Sequence, residues 1–153
     1  MKTLARSSDK SEIASRLATL RADSRRRWGR MSAHQAVCHL SDSFRAVIGR
    51  KEVRPRVSFL QRTVVKWFAL RVPMRWPAGI PTMPELDQVC GGGTSPAEFA
   101  ADLRDLQVLL ELVTTEPKAF AWHSHPTFGT MTDDDWLRWG YLHMDHHLRQ
   151  FSA

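Results

Sequence analysis

The chain has 153 residues and a formal net charge of +6, with 42% hydrophobic and 25% charged residues. This length is typical of one domain, and this composition is typical of a globular protein and excludes disordered and collagen-like classes. The amino-terminal residues contain no apolar secretory segment, and the two cysteines, Cys38 and Cys90, provide no disulfide framework. We therefore expect a single domain over residues 1–153, in the cytoplasm.

The positive charge is concentrated in one part of the chain. Residues 21–75 contain 14 basic and 3 acidic residues, whereas residues 76–153 contain 4 basic and 11 acidic residues. We expect the arginines at 25–27 and Arg30 to end a helix, where cations are favourable, and the others to pair with the acidic half. No zinc-finger or RNP motif accompanies the charge, so neither nucleic acid nor a membrane is expected as a partner.

Apolar residues at steps of three and four predict amphipathic helices in the first third of the chain. The first helix is predicted over about 8–23. The second is predicted to begin at Ser32, because Ser32 and Gln35 have the spacing of a capping box, and to end at Gly49. Its apolar residues recur from Ala33 to Val47 at helical steps.

Two further helices are predicted in the second half. The third is expected to begin with Ser95 as N-cap, a proline at the first helical position and a reciprocal Glu98. The fourth is expected to begin at Thr132, followed by three aspartates that favour the positive end of a helix, and to extend to Phe151. Four such helices predict an all-α four-helix bundle.

A long connection, residues 50–94, separates the second and third helices. This length predicts a crossover, which allows those two helices to run parallel. Within it, residues 59–70 are predicted to form an extra short helix, and the prolines that follow prevent regular structure. Such a basic amphipathic helix can lie on a membrane surface, but we expect it to be a lid that packs across one end of the bundle through its apolar residues, Leu60, Val64, Trp67 and Phe68.

Histidines are concentrated on two of the predicted helices. His143 and His147 are one turn apart on the same face of the fourth helix, about 5–6 Å between Cβ atoms. His39 has the same angular relation to the apolar stripe of the second helix. Three neutral imidazoles from two helices would bind a divalent ion and leave coordination positions open. His146 points about 100° away from His147 and is a weaker candidate, which we keep as a pocket residue.

The histidine-containing segments resemble the DinB-like superfamily. The string from His143 to Gln150 is similar to its H-x-x-H-H-x-x-Q signature, and the segment around Cys38, His39 and Asp42 is similar to its second-helix ligand motif. The ending HxxHHLRQF resembles an uncharacterised branch. The resemblance implies an up-down-down-up bundle and a three-histidine site at His39, His143 and His147 for Zn, Ni, Fe or Mn. It also implies a low-molecular-weight thiol, such as bacillithiol or mycothiol, as cosubstrate in some relatives.

The mechanism expected of such an enzyme follows from the ion. A thiol bound beside the cation loses its proton, and the resulting thiolate attacks an electrophilic small-molecule substrate. Asp42 and Gln150 are each one turn beyond a ligand histidine and could orient it through the second ring nitrogen. Trp136 lies on the histidine row and could form a wall of the pocket. No catalytic residue is assigned.

Two alternative functions stay open at this stage. The ion could activate water instead of a thiol, which would make the protein a small metal-dependent hydrolase. Alternatively, the chain could be a non-enzymatic interaction module that binds an anionic partner through the basic residues 50–75. A homodimer is plausible because the third helix has exposed apolar residues. His123 and His125, before the fourth helix, are interpreted mainly as turn residues and not as ligands.

Overall fold

The structure is a computed structural model that describes residues 1–56 and 58–153. The described residues are helical and contain no β-strand, which confirms the all-α class. The α-helices are α1 (Ser7–Thr19), α2 (Ala33–Val47), α3 (Lys66–Arg71), α4 (Phe99–Thr114) and α5 (Asp133–Gln150). α2 packs mainly against α4, α1 packs against α5, and α2 also contacts α5. The up-down-down-up arrangement stays a prediction.

The first helix ends earlier than the sequence predicts. α1 ends at Thr19, and Leu20 already has extended backbone, with φ −68° and ψ 140°. The Arg21 guanidinium donates hydrogen bonds to the carbonyls of Ala18 and Leu20 and so satisfies the helix end. The arginines at 25–27 and Arg30 consequently lie in the loop before α2, and the prediction that they end a helix is wrong.

The second helix has the boundaries that its capping residues predict. Ser32 accepts a hydrogen bond from the Gln35 backbone, and the Gln35 side chain accepts one from the Ser32 backbone, so the capping box is complete. The helix ends at Val47, and Gly49 follows with a positive φ of 76°. These local signals place His39 at a definite angle on α2.

The N-terminal ends of the last two helices differ in how well they are predicted. α5 begins after Thr132, whose side chain accepts a hydrogen bond from the backbone of Asp135, as expected. α4 does not begin at Ser95. Its N-cap is Glu98, because the Glu98 carboxylate accepts hydrogen bonds from the backbone N–H groups of Ala100 and Ala101. A carboxylate three residues later thus replaces the predicted serine cap.

One hydrophobic core joins the helices. It is built from the inner stripes of α1, α2, α4 and α5, and each of these stripes contains side chains with almost no solvent exposure. Among the most deeply buried members are Ile13, Leu17, Val37, Leu106, Leu110, Met144 and Leu148. The core holds α2 and α5 side by side, and the residues that border it on these two helices face a shared groove.

The connection between α2 and α4 contains the predicted extra helix, but its packing is not the predicted one. Residues 59–71 are helical, with a π-helical turn at Gln61–Val65 that continues into α3. Only Leu70 is buried. The residues expected to pack inward remain exposed, at 58% for Leu60, 59% for Val64, 61% for Trp67 and 49% for Phe68. Contact with α5 covers one narrow side of the helix, so the apolar stripe lies outside the core.

The end of the connection returns to α2. A short 3-10 helix at Pro84–Leu86 packs against α2 and brings the Leu86 carbonyl to the groove. None of the helices in the described ranges combines the length and the apolar character needed to cross a bilayer.

Candidate metal centre

Three histidines from α2 and α5 converge in the groove between these helices. The Nε2 atoms of His39 and His143 are 3.1 Å apart. His147 joins them, with its ring centroid 4.8 Å from that of His39 and 5.1 Å from that of His143. Each ring offers one nitrogen within 4.8 Å of the nitrogens of the other two. The histidines that the sequence predicts as ligands are therefore the ones that the fold brings together.

The proton position on His39 is set by a backbone carbonyl. Nδ1 of His39 lies 2.8 Å from the Leu86 carbonyl oxygen. Because a carbonyl oxygen can only accept a hydrogen bond, Nδ1 must carry the proton. Nε2 of His39 is therefore left with a lone pair, and this atom is the one that faces His143.

Asp42 does not orient His39, contrary to the prediction. The Asp42 carboxylate is fully buried and accepts hydrogen bonds from Thr94 and Gln88, at 2.7 and 3.0 Å, instead of from an imidazole. Lys51 lies 3.3 Å from the same carboxylate. Asp42 lies on the side of α2 that faces the loop before α4, and its hydrogen bonds anchor that loop.

His147 is oriented by the residue that the sequence predicts. Its Nδ1 lies 2.9 Å from Oε1 of Gln150, and Nε2 of Gln150 donates to the Trp28 carbonyl at 2.9 Å. The carbonyl fixes which end of the amide is the donor, so Gln150 Oε1 must accept from His147 Nδ1. The Nε2 atom of His147 is left with its lone pair toward the cluster.

Gly29 makes this arrangement sterically feasible. Its φ is +75°, a left-handed conformation that favours glycine, and a Cβ atom at this position would lie only 2.7 Å from Gln150 Nε2. The Trp28-Gly29 pair in the sequence is the local signal of this close approach. The loop after α1 therefore contributes to the support of His147.

The three imidazoles are neutral at ordinary pH. Burial lowers the pKa of His39, and burial together with the neighbouring histidines lowers the pKa values of His143 and His147 well below the usual value. A neutral imidazole has the free lone pair that metal binding requires. The burial that disfavours a charged histidine therefore also keeps a lone pair on each ring free for a metal ion.

The residues fit a divalent ion. Metal–nitrogen bonds of about 2.0–2.1 Å in tetrahedral geometry place two ligand nitrogens roughly 3.4 Å apart. The separation of 3.1 Å between the Nε2 atoms of His39 and His143 is close to this value. Three nitrogen donors suit Zn, Ni or Fe and leave a coordination position open. The cluster can therefore hold a metal ion.

The cluster forms one wall of an apolar cavity of about 480 Å³. α3 and the segment after it form the opposite wall, and no carboxylate is among the lining residues of the described chain. The lining residues include Trp76, Met83, Leu86, Phe128 and Trp139. An apolar molecule of modest size fits such a site.

Trp136 does not line this cavity. Its ring is almost completely buried and stacks on Trp122, with ring centroids 5.3 Å apart, behind the cavity wall. Trp139 takes the expected place, because its ring lies 4.9 Å from that of His143. Trp136 does share the helical row of His143 and His147, as predicted. However, the loop before α5 covers the first turn of the helix and separates Trp136 from the cavity.

His146 lies beside the cluster as a lining residue of the cavity. Its ring makes edge contacts with the rings of His147 and Trp28, at centroid distances of 5.1 and 5.9 Å. Its Nδ1 atom is buried and has no hydrogen-bond partner in the described ranges. Burial lowers the pKa of His146, so it too is neutral. It is not one of the three converging ligands.

His125 is a cavity residue that the sequence analysis set aside. Its Nδ1 accepts hydrogen bonds from the backbone N–H groups of Thr127 and Phe128, at 3.0 and 3.1 Å, so the proton must be on Nε2. Burial lowers the pKa of His125 to about 3. Nε2 has no partner among the described residues and is not sealed from solvent. His125 is thus a neutral hydrogen-bond donor at the cavity.

The signal for this role is the turn itself. In the sequence His125-Pro126-Thr127-Phe128-Gly129, the backbones of His125 and Gly129 exchange two hydrogen bonds of 2.9 Å. This closed turn presents two N–H groups to the histidine ring. The turn itself is predictable from the sequence, but the direction in which it orients the ring is not.

A second group of metal-binding residue types joins α2 to the start of α4. Asp102 accepts a hydrogen bond from His34 at 2.7 Å, and Cys38 lies 3.6 Å from the same oxygen. The backbone N–H of Ala97 donates to this oxygen as well. Burial and Asp102 raise the pKa of the Cys38 thiol to about 12, which agrees with its predicted packing role. These contacts connect two helices.

The chain belongs to the family described as protein of unknown function, DUF1569, whose pattern matches residues 4–153. No curated protein matches the chain. No solved structure matches it either. The family match spans α1 to α5 and so includes all three converging histidines.

Proposed function

We propose that this member of the DUF1569 family is a metal-dependent protein of the DinB-like type, with a divalent ion held by His39, His143 and His147. One observation carries the proposal. Two separate hydrogen-bond acceptors, the Leu86 carbonyl and the Gln150 amide oxygen, hold protons on the outer nitrogens of two of the rings. Their Nε2 lone pairs are thereby directed at a common point, an arrangement typical of metal ligands.

The activity we propose is addition of a low-molecular-weight thiol to an apolar, carbonyl-containing electrophile. The S–H bond and a π bond of the electrophile break, a carbon–sulfur bond forms, and the thiol proton ends on the product. When bound, the ion supplies an acidified thiol, because the cation stabilises negative charge on sulfur. The cavity favours this over hydrolysis. Metal-dependent hydrolases of the zinc-peptidase type use a glutamate as general base, and the described lining contains no carboxylate.

The residues of the chain have separate roles in this proposal. The apolar wall excludes water from the electrophile. The Nε2–H group of His125 donates a hydrogen bond to an oxygen of the electrophile where negative charge develops. Because its low pKa keeps His125 neutral, Nδ1 stays an acceptor of the backbone hydrogen bonds and Nε2 stays the donor. Arg75, which also lines the cavity, suits a carboxylate on the thiol.

Metal content tests the site. The wild-type chain, purified without an affinity tag, is compared by elemental analysis with His143→Ala and with the control His123→Ala, whose exposed ring lies outside the cluster. We expect near-stoichiometric metal in the wild type and the control, and its loss from His143→Ala. Equal metal in all three proteins would contradict the proposal.

Activity is tested on the metal-loaded chain with a panel of cellular thiols and an apolar electrophile that contains a carbonyl group. We expect conjugation above the uncatalysed rate, abolished by a chelator. His125→Phe should slow the reaction but keep its metal, because His125 is not a ligand. If esters or amides are cleaved without any thiol, the protein is a hydrolase instead. If neither reaction occurs in the metal-loaded chain, the proposed activity is contradicted.

A further inference from the structure

The outer side of the connection between α2 and α4 is an exposed apolar surface. Eight of the eleven large hydrophobic side chains that are exposed among the described residues belong to residues 59–80. Half of these eight line the histidine cavity, and the other four do not: Phe59, Leu60, Val64 and Trp67. Leu60, Val64 and Trp67 follow one another at steps of four and three along the helical part and are each more than half exposed. We refer to this stripe of three residues as the outer stripe. A contiguous exposed apolar surface indicates a binding partner.

The charges around the outer stripe are positive. Arg54, Arg56 and Arg62 are exposed and form no ion pair with any described residue. Arg71, by contrast, pairs with Asp135 at 2.6 Å. The expectation that the basic half of the chain pairs with its acidic half therefore fails here. A partner that matches this surface therefore has both an apolar part and a negative charge.

We propose that the outer stripe docks onto an anionic membrane surface, with the helix of residues 59–71 lying in the plane of the interface. Apolar side chains would enter the boundary between headgroups and acyl chains, and the arginines would contact anionic headgroups. Trp67 lies on the stripe, and tryptophan is enriched at this depth of a bilayer. The proposal does not depend on the metal site.

A second copy of the chain fits this surface less well. A twofold axis through the outer stripe would place the unpaired arginines of one copy near the same arginines of its partner, and like charges repel. A bilayer that contains anionic lipid offers both the apolar layer and the negative charge. Charge complementarity thus favours a membrane over a symmetric dimer at this position.

Vesicle binding of the full chain tests the proposal. Cosedimentation is measured with vesicles of phosphatidylcholine alone and with vesicles that also contain phosphatidylglycerol. We expect binding to the mixed vesicles only, in salt of about 0.1 M, and weaker binding in about 1 M salt, because the screening length falls from about 10 Å to about 3 Å.

Two matched pairs of exposed residues control for folding and for net charge. Val64→Asp is compared with Val108→Asp, since these valines are 59% and 65% exposed and Val108 lies on α4. Arg62→Glu is compared with Arg104→Glu, which is also exposed on α4. We expect the first member of each pair to weaken vesicle binding by about tenfold or more, and the second to change it little.

Other outcomes of these experiments would contradict the membrane proposal. Absence of binding to the mixed vesicles, or equal loss in both members of each pair, would overturn the proposal. A concentration-dependent dimer that Val64→Asp alone dissociates would show that a second copy occupies the surface. The oligomeric state of the wild type and of the Val64→Asp variant is therefore measured by sedimentation in parallel.

Discussion

Replacing Gln150 tests whether the hydrogen bonds behind His147 prepare the metal site. Gln150→Leu keeps the approximate size of the side chain but removes two hydrogen bonds of 2.9 Å, one with His147 Nδ1 and one with the Trp28 carbonyl. His147 then has no acceptor that holds its proton on Nδ1. The proton of His147 can then move to Nε2, which removes the lone pair that faces the cluster. The three ligand histidines themselves are unchanged.

The magnitude follows from what such outer partners contribute in metal sites. Their loss weakens metal affinity by about 10- to 100-fold, or about 1.4–2.7 kcal/mol. The unpaired Trp28 carbonyl also lowers the free energy of unfolding of the metal-free chain by about 1–3 kcal/mol. Gln150→Glu separates the two effects, because a carboxylate still accepts from His147 but cannot donate to Trp28. We expect it to retain metal affinity and to lose stability.

The assay is a titration of the metal-free chain with Zn²⁺ against a chromophoric chelator. Urea unfolding of the metal-free variants gives their stability separately. Gln107→Leu is the control, because Gln107 lies on α4 and its side chain forms no hydrogen bond within the described residues. If Gln150→Leu binds Zn²⁺ as tightly as the wild type, the tautomer argument for the site is refuted.

Three other substitutions probe neighbouring features. Gly29→Ala should weaken Zn²⁺ binding in the same titration, because its Cβ would displace the Gln150 amide; unchanged affinity would contradict this. Asp42→Ala should lower the free energy of unfolding by about 1–3 kcal/mol, since it leaves the buried Gln88 amide without its acceptor, and an unchanged stability in urea would disprove that role. The unfolded His125 takes up a proton below pH of about 6.5, whereas burial lowers the pKa of the folded His125 to about 3. Acidification through this window therefore destabilises the fold. Urea unfolding of the metal-free chain should show that wild type loses about 1.6 kcal/mol more than His125→Gln between pH of about 6.5 and about 5, and equal losses would refute this.

The helices and the converging histidines were predictable because their signals are local and angular. The capping box at Ser32 sets where α2 begins, and the apolar stripe sets which face is inward. The angle of His39 relative to that stripe is then known from helix geometry. The same reasoning applies to His143 and His147 on α5. Residues that border two packed stripes face the same groove, so their convergence follows.

The partners of these histidines were predictable only where they lie on the same helix. Gln150 is three residues from His147, and helix geometry alone brings them together. Leu86, the partner of His39, comes from a 3-10 helix in the long connection, 47 residues away. Helical spacing along α2 predicts that Asp42 contacts His39, because this spacing contains no information about the loop that surrounds Asp42. A contact that depends on a loop path is not encoded in helical periodicity.

The same distinction explains the outcome for the connection between α2 and α4. Periodicity shows that Leu60, Val64 and Trp67 share a side of a helix, but it does not show what covers that side. In the folded chain the adjacent Leu70 is buried, while the stripe faces away from the core. The helix lines the histidine cavity through Val65 and Phe68, but it keeps the outer stripe free and carries the unpaired Arg62. The segment thus covers the cavity as a lid would, and its exposed outer stripe is the observation that makes a membrane-facing role worth testing.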